Sequence, residues 1–137
     1  MDQVILVFEL NGHKLMDWPS VDLRFNGGNL WNGKVKNRLH LEFVRNVQDL
    51  NVIEIRHFDK DNDVLLADDG TLLDDRHCLI ESVSVNGIVM TLDFFSEHGF
   101  KFENYQGERF VTNYLGQDGV LRIPFEYPMW KFWKSLQ

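Results

Sequence analysis

The densest group of potential ligand atoms lies in residues 57–75, HFDKDNDVLLADDGTLLDD, which contain seven aspartates and one asparagine. Calcium prefers several oxygen ligands from carboxylates, amides and carbonyls, so this acidic segment offers suitable chemistry. The EF-hand calcium-loop pattern is not met, because Val64 and Gly70 stand where that pattern requires glycine and glutamate. The composition favours a solvated turn built from Asx turns, and a looser calcium site is the alternative. Acid–base catalysis ranks last, because no pair of carboxylates is marked by its spacing.

The other reactive side chains give no catalytic signature. The five histidines are scattered and lack the spacing of a zinc site. The single cysteine, Cys78, excludes an internal disulfide framework. No nucleophile elbow or phosphate-binding loop is present. We therefore expect a protein that is not an enzyme, with an enzyme accessory domain as a less favoured variant.

Tryptophans in loop-like sequence are candidates for sugar binding. Trp18 in MDWPS and Trp31 in GGNLWNGK are flanked by turn-forming residues, and loops often carry binding residues. An indole face matches the C–H face of a pyranose ring, and nearby carboxylates would accept hydrogen bonds from its hydroxyls. The alternative, which the sequence favours, is that each tryptophan fills one end of the core.

The C-terminal stretch RIPFEYPMWKFWKSLQ is unusually rich in large apolar side chains. A chain of this size does not easily bury all of them, and aromatic residues and methionine are enriched at protein interfaces. We predict that this tail, residues 124–137, contacts other protein subunits; folding back over its own sheet is the alternative. The predicted contact residues are Tyr127, Met129, Trp130, Phe132 and Trp133.

The elements that must position these residues are strands. Alternation of apolar and polar residues in VDLRF, NRLHLEFVRN, VIEIRHF and MTLDF is typical of half-buried antiparallel strands, and VILVF at residues 4–8 predicts a central strand. Turn signals recur between short strands, and no helical periodicity is sustained. The sequence predicts one domain, residues 1–137, that is all-β: a two-layer antiparallel sandwich, jelly-roll-like.

Asparagine–glycine pairs locate the expected turns. Four such pairs occur, and both residue types tolerate positive φ in type I′ turns. We predict hairpins at VFEL-NG-HKLM, at SVSV-NG-IVMTL and in LGQDGVLRIPF. In CLIESVSV, Ile80 lies on the opposite parity from Val83 and Val85, so a β-bulge near Glu81–Ser82 is expected to turn all three toward the core.

The middle of the chain resembles two groups of known β-sandwich proteins. NVIEIRHFDKDNDVLLADDGTLLDDRHCLIESVSVNGI resembles small β-sandwich proteins of tailed phages that infect marine cyanobacteria and related bacteria, and YPMWKFWKSL fits their Trp/Phe/Lys-rich tail. The same segment is similar to calcium-dependent carbohydrate-binding modules, whose comparable strand ends in I-x-V-[ND]-G after an acidic loop. That second resemblance implies calcium ligands among Asp59, Asp61, Asp63, Asp68 and Asp74.

Charge narrows the classes of partner. The net charge of −7 disfavours binding to nucleic acid or to anionic membranes, and the N-terminal MDQVILVFEL lacks the features of a secretory signal. We expect a location in a virion or the host cytoplasm. The first hypothesis is a non-enzymatic virion or accessory structural protein of a phage, acting through protein contacts within a virion or a homo-oligomer. The alternative is a calcium-dependent module that binds a glycan.

Overall fold

The computed structural model describes residues 2–60 and 63–128 and confirms the predicted all-β sandwich. The elements follow in chain order: β1 (Gln3–His13), β2 (Ser20–Phe25), β3 (Gly28–Lys34), β4 (Asn37–Asn46), β5 (Leu50–Phe58), β6 (Val64–Leu66), β7 (Leu72–Asp75), β8 (His77–Val85), β9 (Ile88–Met90), α1 (Leu92–His98), β10 (Phe102–Asn104), β11 (Arg109–Phe110), β12 (Tyr114–Leu115) and β13 (Gly119–Glu126).

Two antiparallel sheets enclose the core. One has the order β12-β8-β1-β4, with β9 paired to β8, and the other has the order β11-β10-β13-β5-β2-β3. Strands β6 and β7 form a separate two-stranded hairpin. As its alternation predicts, β5 buries Ile53 and Ile55; β1 lies centrally between β8 and β4, as expected, and buries Leu6 and Phe8 on one face. Side chains from both sheets thus form one shared apolar layer.

The predicted β-bulge in β8 is confirmed. Leu10 pairs with Ile80 and Glu9 with Ser82, so Glu81 is the extra residue. Side chains of a β-strand alternate between the two faces of the sheet, so one extra residue brings the side chains before and after the bulge to the same face. Ile80, Val83 and Val85 are consequently all fully buried.

Two of the asparagine–glycine pairs form turns and two do not. Asn26-Gly27 and Asn86-Gly87 have positive φ at both residues and close the hairpins β2–β3 and β8–β9. The hairpin predicted at Asn11-Gly12 is wrong, because β1 continues through the pair to His13. There Gly12 serves a close approach instead: a Cβ on it would lie 1.9 Å from the carbonyl oxygen of Val35. Asn32-Gly33 likewise lies inside β3.

Two other predictions fail for tertiary reasons. MTLDF does not form a strand: after Met90 the chain turns into α1, which buries Phe95 and ends at Gly99 in the left-handed conformation. The third predicted hairpin is also wrong, because β12 pairs with β8 and β13 pairs with β5 and β10. The intervening turn therefore carries the chain from one sheet to the other. Among the described residues, no helix has the length and apolarity that crossing a membrane requires.

Candidate functional site

A row of polar residues crosses the outer face of the six-stranded sheet. Alternation sends Ile55 and Leu23 into the core and leaves their neighbours Arg56 and Asp22 on the outer face. The strand register then aligns one residue from each of five neighbouring strands. In the order β10, β13, β5, β2 and β3, the paired residues are Glu103, Val120, Arg56, Asp22 and Asn32.

This row forms the floor of an open groove of about 500 Å³. The groove continues toward the end of β5, where Phe58 and the turn before β13 contribute. Its lining combines carboxylate, amide, guanidinium and aromatic groups, which is the mixture that an oriented polar ligand requires. The lining residues are Asp22, Asn32, Arg56, His57, Phe58, Glu103, Asn104, Tyr105, Asp118, Gly119 and Val120.

The carboxylate of Asp22 is fixed in the groove floor. The residue is only 5% exposed, and its carboxylate accepts hydrogen bonds of 2.8 Å from Arg24 Nε and 2.8 Å from Asn29 Nδ2. Arg56 Nη2 lies 3.3 Å from Glu54 Oε2, whereas its buried Nε has no hydrogen-bond partner among the described residues. This Nε is shielded from solvent, whereas 42% of the Arg56 side chain is exposed, so a ligand in the groove would meet the exposed part of the side chain.

Burial keeps His57 neutral beneath the groove, on the core side of β5 that it shares with Ile55. The ring is 1% exposed, and Nδ1 donates to the carbonyl oxygen of Gln117 at 2.9 Å. Burial lowers the pKa of His57, so the ring carries a proton only on Nδ1 near neutral pH. Its Nε2 is then a buried acceptor that finds no partner among the described residues.

Tyr105 stands at the rim on a fixed turn. Its side chain is 72% exposed, while its backbone N–H donates to the carbonyl oxygen of Asp118 at 3.1 Å. The buried Asn104 organises the turn, because its Oδ1 accepts from the backbone N–H groups of Gln106 and Glu108 at 3.1 and 2.9 Å. The exposed ring is therefore presented by a structured turn rather than by a long loop.

Two carboxylates of the acidic segment are directed into the protein body. Asp63 accepts from the backbone N–H groups of Met16 and Asp17 at 3.1 and 3.2 Å and lies 3.6 Å from Arg76 Nε. These bonds anchor the loop that carries Trp18. Asp63 is thus neutralised by a buried arginine, which leaves it poorly suited to a calcium ligand.

Asp75 forms a second buried charge cluster. Its carboxylate lies 3.1 Å from Lys60 Nζ and 3.2 Å from His77 Nδ1, and it accepts a hydrogen bond from the hydroxyl of Tyr114. Burial opposes ionisation, but the bonds from Tyr114 and Lys60 outweigh it and hold the pKa of Asp75 below its usual value. Burial and the carboxylate together raise the pKa of Tyr114.

The remaining acidic residues with predicted ligand roles do not converge. Asp59 and Asp68 are exposed, Asp68 at the β6–β7 turn, and Asp74 contacts His13 Nε2 at 2.9 Å. In residues 2–60 and 63–128 no group of three or more histidine, cysteine, aspartate or glutamate side chains is placed to hold a metal ion. Asp61 lies outside the described residues, so the calcium site stays a prediction.

The predicted tryptophans lie away from the groove. Trp18 is in the β1–β2 loop, as expected, and Lys14 Nζ lies 5.7 Å from its ring centroid. Trp31 is not in a loop but in the edge strand β3, where it pairs with Leu23 and packs partly against the core. The loop prediction for Trp31 is wrong because β3 continues through Asn32-Gly33.

The predicted partner-binding residues lie at or beyond the last described residues. Tyr127 packs partly against the core, and its N–H donates to the carbonyl oxygen of Asp49 at 3.0 Å. The other four, Met129, Trp130, Phe132 and Trp133, lie outside the described residues. Their contact with a partner stays a prediction.

The groove residues were not identified from the sequence. Asp22, Arg56 and Asn32 stand at polar positions of alternating strands, which by themselves indicate a solvated face. Only the pairing register across β2, β3 and β5 aligns them. Tyr105 stands in the turn-like sequence ENYQGE, and this was the available signal, since exposed aromatic residues in turns often bind ligands.

No family model matches the chain, and no curated protein matches its sequence. Two solved structures are similar in fold. One is vCBM60 in complex with galactobiose, at 12% identity and a TM-score of 0.53, covering 86% of this chain and 95% of that one. The other is the selenomethionine form of vCBM60, at 12% identity and a TM-score of 0.56, covering 87% and 88%. Its description concerns circular permutation between two families of calcium-dependent carbohydrate-binding modules. At this identity the likeness establishes the fold.

Proposed function

We propose that this protein is a non-catalytic carbohydrate-binding module whose binding site is the groove on the six-stranded sheet. The observation that carries the proposal is the exposed Tyr105 ring at the rim of an open groove whose floor is lined by the outward-facing polar side chains of Arg56, Asn32 and Glu103. A pyranose presents apolar C–H faces to an aromatic ring and hydroxyls that both donate and accept hydrogen bonds. The exposed part of the Arg56 guanidinium would donate to a hydroxyl oxygen, and the Glu103 carboxylate would accept from a hydroxyl.

The charges of the groove are largely paired, which favours a neutral sugar. Asp22 is paired with Arg24 at 2.8 Å, and Glu103 lies 3.5 Å from Arg109 Nη2 and 3.8 Å from Arg122 Nη1. His57 adds no charge, because burial lowers its pKa. A neutral sugar binds through its hydroxyl groups and needs no unpaired charge in the site.

The comparisons support a glycan ligand more than the virion structural role predicted from the sequence. One matched structure holds a disaccharide, and both matched structures are carbohydrate-binding modules. The virion role and the location in a virion or host cytoplasm stay predictions. Mass spectrometry of purified particles tests them, since absence of the chain from particles would exclude the structural role.

Calcium is not required by this proposal. Among the described residues, Asp63 and Asp75 are held by Arg76 and Lys60, and the other carboxylates do not gather. The binding step is therefore argued from the groove alone. Titration of the protein with calcium, followed by calorimetry and thermal unfolding, tests the acidic-segment alternative: micromolar binding with a higher Tm would favour it.

The direct test is calorimetric titration with neutral oligosaccharides, including galactobiose. Tyr105→Ala removes the stacking ring, worth about 1–2 kcal/mol, and is expected to weaken binding about tenfold. Trp18→Ala is the matched control, because it removes an aromatic side chain outside the groove. We expect that control to bind within twofold of the unchanged protein.

Arg56→Lys separates the geometry of the guanidinium from its charge. Lysine keeps the positive charge but lacks the planar guanidinium with its several fixed donors, so binding is expected to fall severalfold while the fold is preserved. If Tyr105→Ala and Arg56→Lys bind as tightly as the unchanged protein, the groove is not the site. If Trp18→Ala alone loses binding, the site lies beside the acidic segment instead.

A further inference from the structure

The β6–β7 hairpin presents an apolar surface that the described residues of its own molecule leave uncovered. Within residues 2–60 and 63–128, its two strands pair only with each other. All of its large aliphatic side chains are exposed, from 37% for Val64 to 61% for Leu73. An isolated two-stranded hairpin is marginally stable in water, and contiguous exposed apolar residues mark interaction sites. The apolar residues of this surface are Val64, Leu65, Leu66, Leu72 and Leu73.

The surface is also uniformly acidic. Residues 63–75 contain five aspartates and no lysine, arginine or histidine. Asp63 and Asp75 contact cationic groups at the hairpin base, whereas Asp68 and Asp69 are exposed at its tip. A segment that covers this hairpin would therefore have to be both apolar and basic.

Residues 129–137, MWKFWKSLQ, have this composition. They contain five large apolar side chains, at 129, 130, 132, 133 and 136, with Lys131 and Lys134 interleaved and no acidic residue. Aromatic side chains and methionine supply the contact area that dominates interface energetics. The two lysines complement the exposed carboxylates of the hairpin tip.

The topology places the origin of this segment far from the hairpin of the same molecule. β13 ends at Glu126 beside Leu50, at the start of β5, whereas the acidic segment follows the other end of β5 at Phe58. Nine residues of β5 span about 30 Å. Nine residues of tail also reach about 30 Å, but only when fully extended. A tail stretched to that limit would leave few residues to pack on its own hairpin, and a second molecule removes the constraint.

We propose that residues 129–137 of one molecule dock on the β6–β7 hairpin of a second copy of the chain. This contact joins two different surfaces, so it is heterologous. Each added molecule leaves one hairpin and one tail unoccupied, and the assembly either grows or closes into a ring. The proposal goes beyond sugar binding, because the hairpin is absent from the groove lining.

The test uses two complementary variants of the full chain in sedimentation-velocity and light-scattering measurements. The first deletes residues 129–137 and keeps the hairpin. The second, Leu65→Ser with Leu73→Ser, keeps the tail and removes exposed apolar groups. The unchanged protein is expected to self-associate with rising concentration, and each variant alone is expected to be monomeric. Mixed together they are expected to form a complex of two chains and nothing larger, because only one hairpin–tail contact is possible.

Controls separate docking from unfolding. The double substitution Val44→Ser with Val89→Ser changes two similarly exposed valines on the five-stranded sheet, away from the hairpin. It is expected to leave self-association unchanged. The double substitution Asp68→Lys with Asp69→Lys keeps the leucines and reverses the charge at the hairpin tip. It is expected to weaken self-association at low salt, and it replaces the serine variant in the test if that variant fails to fold. A monomeric unchanged protein, association that survives the tail deletion, or a mixture without a two-chain complex would each overturn the proposal.

Discussion

Replacing Asp75 by asparagine tests the buried cluster that closes the base of the β6–β7 hairpin. The carboxylate is 7% exposed and contacts Lys60 Nζ at 3.1 Å and His77 Nδ1 at 3.2 Å. Asparagine keeps the shape and can still accept the Tyr114 hydroxyl, but it leaves the Lys60 ammonium without its buried countercharge. Removing one partner of a buried ion pair costs about 3–5 kcal/mol, and the retained hydrogen bonds favour the lower end.

The assay is equilibrium urea unfolding of Asp75→Asn beside a matched control. Asp68→Asn makes the same chemical change at an exposed turn position and is expected to alter the free energy of unfolding by less than about 0.5 kcal/mol. For Asp75→Asn we expect a loss of about 3 kcal/mol, with a fall in Tm on the order of 10 °C. Equal effects of the two substitutions would refute the account of this cluster.

The pH dependence of the free energy of unfolding gives a second, independent test of the Asp75 cluster. Hydrogen bonds from Tyr114 and Lys60 hold the folded-state pKa of Asp75 below its usual value, against the effect of burial. The stabilisation is therefore complete above the unfolded-state pKa of about 3.9 and is lost as the pH falls through the lower folded-state pKa. The penalty of Asp75→Asn should shrink at pH values below about 4, where the native carboxyl also becomes neutral. A penalty that grows on acidification would contradict this sign.

Two further predictions concern backbone packing and histidine titration. Gly12→Ala is expected to lower the free energy of unfolding by at least about 3 kcal/mol, because its Cβ would lie 1.9 Å from a backbone oxygen. Gly28→Ala is the control: the nearest atom to its Cβ would be 3.4 Å away, and the loss should be under about 1 kcal/mol. Thermal unfolding compares the two variants, and equal stabilities would contradict the close packing at Gly12. Hydrogen bonds to Glu42 and Glu9 should raise the pKa of His40 above 6.5, and burial should lower the pKa of His57. An NMR titration of the two rings measures both values, and a higher pKa for His57 than for His40 would contradict these environments.

The fold could be predicted well from local pattern, because alternation decides which face of a strand is apolar. The strands around Leu23, Phe43 and Ile55 occur where they were expected, and the β8 bulge follows from the parity change between Ile80 and Val83. These features need no knowledge of a distant partner. A strand that buries one face has a register strongly constrained by its own residues.

The failures occurred where a distant contact overruled a local preference. Asn11-Gly12 is a good type I′ turn by sequence, yet it stays in β1 because Asn37 and Cys78 pair with its glycine from both sides. The segment after Met90 alternates like a strand, yet it forms a helix that buries Phe95. Local propensities are small in free energy beside the burial of a side chain.

The sequence by itself determined that the chain is an all-β sandwich and that its apolar residues belong in one layer between two sheets. It also determined the acidic hairpin and the basic, aromatic segment that follows the last strand. Only the tertiary structure decided which polar residues stand together in the groove, since Asp22, Arg56 and Asn32 come from separate strands aligned by register and Tyr105 comes from the turn after β10. It also decided that Asp63 and Asp75 face buried cations. The physical reason is that side-chain alternation is written locally, whereas the neighbours of an outward-facing group depend on how distant strands pair.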